Sequence, residues 1–362
     1  MPNHHIMYCL NIHRGEHWAE NLSAIERYAL EVKNAFGPDE PFALGLRLSA
    51  CAAGELRPQL DDFSSFLKQH NLYVVTMNGF PYGQFHGTVI KERVYQPDWT
   101  SLLRVSYTRD LAEILAHLLP EGETGTISTV PACYGKEEKP SAIANLHHMA
   151  ALLAELEKKT GKRIILALEP EPDCRLDNLD STLKFFQLLL ARDELIRSYI
   201  GVCLDTCHVA VEFESPLVWL QRLTMEGIQV PKIQISAALR AVIPPPGKPG
   251  RILTPFLDQE YLHQTRILNE GNIHAFRDLP EALAAEPCGE WRIHFHVPLT
   301  WSGEVVSSTM PLLEDDFFRL SCREGKRHFE VETYSYWVLP EPKAPLIESI
   351  VSELKLLNSR LP

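Results

Sequence analysis

The segment 201–208 combines residue types that carry out chemistry in enzymes. Asp205 ends a short apolar run, and His208 follows it three positions later. A carboxylate and an imidazole at the carboxyl end of a buried strand are groups from which parallel α/β barrels build active sites. Upstream, Glu169 ends the apolar run 164–168 in the same way. Two strand ends therefore supply ligands for a metal ion or groups for proton transfer.

Four further polar residues lie at the ends of later extended segments: Gln234, His294, His296 and Glu332. If these segments belong to one parallel barrel, their carboxyl ends point to the same face and the side chains meet there. Carboxylates combined with imidazole nitrogens and an amide oxygen suit a divalent ion such as Mn²⁺, Zn²⁺, Co²⁺ or Mg²⁺. The predicted metal ligands are Glu169, Asp205, His208, Gln234, His294, His296 and Glu332.

Each of these residues also has a purely structural interpretation. A lone acid at a strand end is commonly the N-cap of the next helix, and Asp205 fits that role. His294 and His296 could pair with acids for structural reasons, and Glu171 and Glu330 are expected to be caps or solvated acids. The occurrence of these residues together favours the metal interpretation, because helix caps are not expected on several successive strands together with a His-x-His pair.

Strands and helices alternate along the chain, which predicts an α/β fold and specifically a (β/α)8 TIM barrel. The predicted strands are 7–12, 42–48, 72–78, 126–130, 164–168, 200–204, 232–236, 292–296 and 329–334. The predicted helices are 16–36, 59–69, 106–119, 141–159, 179–190, 216–225, 312–323 and 346–357. A barrel of this class closes with eight strands, so we assign 292–296 to an added strand after the seventh. The alternative is that one early segment is not a strand.

The chain is predicted to be a single barrel domain over residues 1–362, with an inserted region at 237–290 over the barrel mouth. The regular alternation breaks after Ser236, where a run rich in proline and glycine precedes helical pieces near 258–270 and 280–285. Long loops at this face of a barrel tolerate insertions and carry function. The aromatic, glycine-rich loop 79–87, which contains His86, is predicted to form a lid or wall of the substrate site.

The composition bounds the function classes. A length of 362 residues with 45% hydrophobic residues allows a large core. The formal charge of −12 disfavours nucleic acid as a partner, because phosphates would be repelled. The sequence lacks an apolar run of about 18 residues, and its start lacks the basic and apolar regions of a secretory signal. The eight cysteines have no zinc-ribbon spacing and are expected to be unpaired. We expect a cytoplasmic protein without a membrane span, with room for an oligomer.

Three motifs resemble the xylose-isomerase-like superfamily, which includes sugar isomerases, ketose 3-epimerases, hydroxypyruvate isomerase and endonuclease IV. They are Leu-Glu-Pro-Glu at 168–171, Leu-Asp-Thr-Cys-His at 204–208 and Val-Glu-Thr-Tyr at 331–334. The resemblance covers nearly the whole chain. It implies a TIM barrel in which Glu169, Asp205 and Glu332 bind a divalent metal ion and His208 is a second metal ligand or a substrate contact.

The chain departs from the superfamily at the seventh strand, where Gln234 replaces the usual histidine or aspartate and weakens the expected metal affinity. The His-Phe-His piece at 294–296 falls where the superfamily can carry Asp-x-Asp or Asp-x-His, so it can compensate. More narrowly, Asn-Ile-His-Arg-Gly-Glu at 11–16 and His-Phe-His-Val-Pro-Leu at 294–299 resemble the EboE family of metabolite-traffic proteins from the bacterial ebo gene cluster. That resemblance implies a role in making or exporting a secondary metabolite.

The predicted chemistry is proton transfer next to a carbonyl group of a small sugar-like metabolite. A divalent ion on Glu169, Asp205 and Glu332 would hold adjacent carbonyl and hydroxyl oxygens and stabilise the enediolate. Glu169 and Glu332 would exchange the proton, and His208 would orient or polarise the substrate. The predicted substrate contacts are His13, Arg47, Asn78, His86 and Arg240. The two arginines are predicted to contact a phosphate or carboxylate group, or else to form structural ion pairs.

Two other function classes compete with this isomerase or epimerase. A metal-dependent phosphoester hydrolase of the endonuclease IV type would need two or three ions and a basic groove, and the acidic charge opposes DNA as its substrate. A non-catalytic barrel that binds and carries a metabolite is the other class, if Gln234 weakens the metal site.

Overall fold

The predicted (β/α)8 barrel is confirmed. A computed structural model describes residues 4–191, 194–303, 305–323 and 325–362. In these residues, the barrel strands are β1 His5–Tyr8, β2 Phe42–Arg47, β3 Leu72–Asn78, β4 Gly125–Thr129, β5 Ile164–Leu168, β6 Ile200–Asp205, β7 Lys232–Ile235 and β13 His328–Val331. They are parallel and lie in the order β1-β13-β7-β6-β5-β4-β3-β2. The outer strands β1 and β2 meet at a parallel bridge between Cys9 and Gly45.

Helices connect these strands and cover the outside of the barrel. Within the described ranges they are α1 Trp18–Ala24, α2 Leu30–Phe36, α3 Ala50–Leu56, α4 Leu60–Gln69, α5 Leu102–Leu118, α6 Pro140–Thr160, α7 Leu179–Leu190, α8 Leu195–Tyr199, α9 Thr206–Val211, α10 Pro216–Met225, α11 Gly250–Leu253, α12 Leu279–Ala285, α13 Asp315–Arg323 and α14 Leu346–Arg360. The predicted helix 16–36 is one helical segment, because the π-helical turn Ile25–Ala29 joins α1 to α2.

Between β7 and β13 the chain forms a second, antiparallel sheet. Its strands are β8 Ala237–Ile243, β9 Thr265–Asn269, β10 Asn272–Phe276, β11 Gly289–Val297 and β12 Val306–Ser308, in the order β10-β9-β11-β8-β12. The predicted added strand at 292–296 lies in β11. The predicted helix near 258–270 is wrong, because β9 pairs with β10 in a hairpin. Glu270 and Gly271 both have positive φ angles, which is the turn conformation that joins such strands.

The barrel interior contains a buried ion pair. Lys232 Nζ lies 2.6 Å from Glu330 Oε2, and neither side chain is exposed to solvent. Lys232 also donates to Ser128 Oγ at 3.2 Å. Gly45 approaches this pair so closely that a Cβ atom there would overlap Glu330 Oε1 and lie 2.7 Å from the carbonyl oxygen of Tyr8. Glycine at position 45 therefore lets β2 close against β1 over a buried carboxylate.

No helix in the described part of the chain is long and apolar enough to cross a membrane. The start of the chain, for which we predict no secretory signal, includes residues 1–3, which lie outside the described ranges.

Replacing Gly45 tests this barrel closure. Gly45→Ala should lower the free energy of unfolding by about 2 kcal/mol or more, because the added methyl group overpacks against Glu330 and the backbone of Tyr8. Urea denaturation measures the change. Gly54→Ala is the matched control, because open space surrounds Gly54 in helix α3, and alanine there should add about 0.5–1 kcal/mol. The account of closure is wrong if both variants are equally stable.

Candidate metal and active site

Three buried carboxyl groups meet at the carboxyl ends of the barrel strands. Glu169 follows β5, Asp205 ends β6 and Glu332 follows β13. Each offers an oxygen atom, and these three atoms lie within 4.8 Å of one another. All three residues are buried. The structure thus brings together the three acids that were predicted to share a site, and we call them the acid cluster.

Asp205 caps a helix and belongs to the acid cluster at the same time. Its Oδ1 accepts hydrogen bonds from the backbone N–H groups of Cys207 at 2.8 Å and His208 at 3.0 Å, which cap α9. Ser236 Oγ donates to the same oxygen at 2.6 Å. Oδ2 has no hydrogen-bond partner among the described residues. The cap and metal-ligand interpretations of Asp205 are therefore compatible, because they use different oxygens.

The pKa values of the three acids in the acid cluster shift in different directions. Burial raises the pKa of Glu169 well above its usual value, and the neighbouring acids raise it further. Burial and the charge of Asp205 raise the pKa of Glu332 in the same way. Burial also acts to raise the pKa of Asp205, but the neighbouring imidazoles of His208 and His296 and the Ser236 hydrogen bond outweigh it and lower that pKa. Without a cation, the cluster favours one ionised carboxylate beside two protonated acids.

Two asparagines hold Glu332 in place. Asn11 Nδ2 donates to Glu332 Oε1 at 2.6 Å, and Asn78 Nδ2 donates to the same oxygen at 3.1 Å. Asn78 also accepts a hydrogen bond from the backbone N–H of Phe80 through Oδ1, which fixes the orientation of its amide. Glu332 is therefore oriented by one donor that follows β1 and one that ends β3, and its Oε2 lies 3.7 Å from His296 Nδ1.

His296 presents a free nitrogen close to the acid cluster. Its Nδ1 donates to the backbone carbonyl of Glu332 at 3.1 Å, so Nε2 carries the lone pair. This Nε2 atom is buried and has no partner among the described residues. Burial lowers the pKa of His296 to about 4, which keeps the ring neutral. Asp205, His208 and His296 form a further set with ligand atoms within 4.8 Å.

His208 and His294 face each other through their Nε2 atoms at 3.0 Å. His208 Nδ1 donates to the carbonyl of Pro170 at 2.9 Å, and His294 Nδ1 donates to Gln264 Oε1 at 2.7 Å. Gln264 Nε2 donates to Tyr95 at 3.0 Å, which fixes the orientation of the amide. Since both Nδ1 atoms face acceptors and carry hydrogens, both Nε2 atoms present lone pairs when the rings are neutral.

Glu171 joins this histidine pair and is not the cap or solvated acid that was predicted. Its Oε1 accepts a hydrogen bond from Tyr95 at 2.8 Å and lies 3.5 Å from His294 Nδ1. Burial raises the pKa of Glu171 to about 7. Glu171, His208 and His294 offer ligand atoms within 4.8 Å of one another. The prediction that Glu330 is a cap or a solvated acid is also wrong, because Glu330 is buried beside Lys232.

A cavity with about 50 Å³ of space for water-sized molecules opens onto these groups. Its polar lining residues are Asn11, Asn78, Lys91, Glu169, Glu171, His208, His294 and Glu332. Its apolar side is formed by Phe80, Pro81, Phe85, Ile90, Val94, Tyr95, Tyr261, Leu262 and Tyr334. The loop after β3, the segment before β9 and the end of β13 all contribute to it, so the cavity is assembled from distant parts of the chain.

The structure places most of the predicted substrate contacts outside this lining. Arg47 is buried and donates to the carbonyl of Gly15 at 2.6 Å and to that of Gly83. Arg240 forms a two-pronged ion pair with Glu290, with distances of 2.9 and 3.0 Å. Neither arginine lines the cavity, so the structural ion-pair alternative describes Arg240.

The two predicted histidine contacts also have partners elsewhere. His13 bonds to the Tyr8 hydroxyl through Nε2 at 3.0 Å and stacks on Tyr28. His86 donates to the carbonyl of Asn11 through Nε2 and accepts from the Tyr261 hydroxyl through Nδ1. Burial lowers the pKa of His86 to about 4. Both nitrogens of His86 are thus used to hold two residues that line the cavity.

Gln234 faces the barrel interior, and its Oε1 accepts a hydrogen bond from Cys203 Sγ at 3.1 Å. Its Nε2 has no partner among the described residues, but an amide nitrogen is not a cation ligand. Gln234 as a metal ligand stays a prediction.

Sequence analysis missed several residues that complete the site, above all Asn11, Glu171, Ser236 and Tyr334. Ser236 was available from the pattern, because it lies two positions after Gln234 and side chains alternate along a strand. Asn11 follows β1 as Asn78 ends β3, but an asparagine at one strand end carries little signal. Glu171 depends on Tyr95, which lies 76 positions away in the chain.

The residues present fit a divalent cation. The buried atoms Glu169 Oε2, Asp205 Oδ2 and His296 Nε2 are all lone-pair donors, and none has a hydrogen-bond partner in the described chain. Buried polar atoms without partners are costly and rare. Carboxylate oxygens and a neutral imidazole are ligands for Mn²⁺, Zn²⁺ or Co²⁺. The partnerless atoms therefore match the donor set that such an ion needs.

No protein-family model matches the chain, and a comparison with curated proteins finds no match. Solved structures do share its architecture. A structure of the IolI protein with a zinc atom has a TM-score of 0.52 and 12% identity, covering 98% of this chain and 96% of that chain. A xylose isomerase domain protein from Planctomyces limnophilus has a TM-score of 0.50 and 13% identity, covering 91% of this chain and 90% of that chain. At these identities the likeness concerns the fold alone: this chain has the fold of the xylose isomerase-like TIM barrels.

Proposed function

We propose that this protein is a metal-dependent isomerase or epimerase that moves a proton next to the carbonyl group of a small sugar-like metabolite. One observation carries the proposal: three buried carboxyl groups, from Glu169, Asp205 and Glu332, meet beside a cavity that Glu169 and Glu332 line. Several buried acids placed side by side without a cation are expensive to keep. Such an arrangement is expected where the acids act on a ligand or a cation.

The proposed ligands of the ion are the acid cluster and His296. Asp205 Oδ2, Glu169 Oε2 and His296 Nε2 are free to bind it. The zinc atom of the IolI structure supports a divalent ion of this kind. When bound, the ion would polarise a substrate carbonyl and stabilise the negative charge that develops during proton transfer.

Glu169 and Glu332 are the proposed proton-transfer groups. Both line the cavity, and burial raises the pKa of each carboxyl toward the range in which it can accept and return a proton. Asn11 and Asn78 orient Glu332 through its Oε1. His208 also lines the cavity and is held by the carbonyl of Pro170, so it is placed to orient a substrate oxygen.

A metal-dependent phosphoester hydrolase is the second candidate function. The additional ligand set of Glu171, His208 and His294 favours it, because such hydrolases use more than one ion. The lack of a free cationic side chain among the described lining residues speaks against a phosphate substrate. We rank this function below isomerisation for that reason.

The narrower proposals come from sequence resemblance alone. A role in making or exporting a secondary metabolite, as in the EboE family, rests on the pieces at 11–16 and 294–299. In the structure these pieces contribute Asn11, His294 and His296 to the site. The resemblance therefore concerns residues that are placed to bind a ligand or an ion. A carrier that binds its metabolite without turnover would use the same cavity.

Calorimetric titration with Mn²⁺ tests the ligand set. The unsubstituted protein is expected to bind about one ion per chain and to release protons, because burial and neighbouring acids raise the pKa values of Glu169 and Glu332 and an ion displaces protons from its ligands. Protons compete with the ion, so the affinity should rise with pH. Asp205→Asn should weaken binding by roughly 100-fold or more, because it removes the ionised ligand.

The control for this titration is a buried acid elsewhere. Glu353→Gln should bind Mn²⁺ as the unsubstituted protein does, because Glu353 is buried but does not line the cavity. Asparagine at position 205 still accepts the helix-capping hydrogen bonds, so this variant is expected to fold. Equal Mn²⁺ affinities of Asp205→Asn and the unsubstituted protein would contradict the proposed ligand set.

Isotope exchange tests the proton transfer itself. In D2O, the ion-loaded protein should place deuterium on the carbon next to the carbonyl of a ketose, measured by mass spectrometry. Glu169→Gln and Glu332→Gln should each slow the exchange by about 100-fold or more, because an amide cannot accept the proton. Glu353→Gln should exchange at the unsubstituted rate. A ketose that binds without taking up deuterium would favour the carrier and end the enzyme proposal.

A further inference from the structure

We propose that the ligand is an uncharged polyhydroxylated carbonyl compound that carries an apolar group of about the size of a ring, and not a sugar phosphate. This inference rests on the proposed function of the same cavity. It follows from two features of the lining: a contiguous apolar cluster on one side, and the absence of a free positive charge among the described lining residues.

Three aromatic rings from distant parts of the chain pack against one another on the apolar side. The Phe85 ring centroid lies 5.4 Å from that of Tyr261 and 5.2 Å from that of Tyr334, and the two tyrosine rings are 5.2 Å apart. Ile90 belongs to the same buried cluster. A simple sugar offers only its C–H face to such rings, whereas an apolar substituent would bury more carbon surface and gain more by leaving water.

Tyr334 joins the apolar cluster to the polar side of the cavity. Its hydroxyl lies 3.3 Å from His294 Nε2, and its ring centroid lies 4.6 Å from that of His296. The hydroxyl points to the histidines while the ring contacts Phe85. A ligand with its oxygens at the acid cluster would therefore place its other end against the aromatic rings.

The charges around the cavity disfavour a phosphate group. Among the described lining residues, Lys91 is the only lysine or arginine. Its Nζ lies 2.7 Å from a carboxylate oxygen of Asp278. Arg47 and Arg240, the predicted anion contacts, are bound elsewhere. A phosphate in the cavity would lose its hydration without gaining a cationic partner, and it would face the carboxyl groups of the polar side.

Binding of three fructose derivatives that differ only at the C6 oxygen tests this inference. Calorimetry on the ion-loaded protein compares 6-O-benzyl-D-fructose, 6-O-methyl-D-fructose and D-fructose 6-phosphate. The benzyl ether should bind at least tenfold more tightly than the methyl ether, and the phosphate should bind no more tightly than the methyl ether. Tightest binding by the phosphate, or equal binding by the two ethers, would overturn the inference.

Variants in one loop locate the apolar contact. Phe85→Leu should reduce the advantage of the benzyl ether over the methyl ether to less than threefold. Val89→Ala is the matched control, because Val89 lies in the same loop, is half exposed and does not line the cavity. An unchanged benzyl advantage in Phe85→Leu would contradict the placement.

Binding and isotope exchange separate this inference from the proposed function. If the benzyl ether binds best but none of the derivatives takes up deuterium, the ligand class stands and the enzyme proposal fails. If deuterium uptake is fastest with the phosphate and that compound also binds most tightly, the enzyme proposal stands and the ligand class fails.

Discussion

The barrel interior contains more acidic than basic side chains, and the protonation and ion binding of the site depend on this imbalance. Lys232 neutralises Glu330 in a fully buried pair. Glu169, Asp205 and Glu332 are left above that pair with one another as neighbours. Burying several like charges without a partner costs many kcal/mol, so the acids must take up protons or share a cation. The raised pKa values of Glu169 and Glu332 describe the first state, and the partnerless oxygens of Glu169 and Asp205 prepare the second.

The surrounding residues make the second state available without rearrangement. The helix cap and Ser236 use one oxygen of Asp205, so that the other stays free. The backbone of Glu332 holds the Nδ1 hydrogen of His296, which leaves Nε2 unprotonated. These contacts do not bind a ligand themselves. They fix the orientation of the groups that would, which is how outer-shell hydrogen bonds tune metal sites.

Much of the barrel and part of the site could be predicted from the sequence, because both depend on local patterns. Buried strands that stop at an acid gave β5 and β6 with the positions of Glu169 and Asp205. The second sheet was harder, since β9 and β10 are short and β10 is mostly exposed, which leaves little periodicity to detect. Glu171 and the aromatic cluster were missed because their burial depends on residues far away in the chain. Local patterns predict at which strand end a side chain lies, whereas tertiary packing determines which residues it contacts.

Anomalous X-ray diffraction from crystals grown with Zn²⁺ tests the central claim most directly. Data collected at the zinc absorption edge should show a peak among Glu169, Asp205 and Glu332, with metal to oxygen distances of about 2.0–2.2 Å. His296 should be a further ligand through Nε2, the ring nitrogen that does not bond to the Glu332 backbone. Absence of a peak there, with the three acids hydrogen-bonded to one another at neutral pH, would contradict the account.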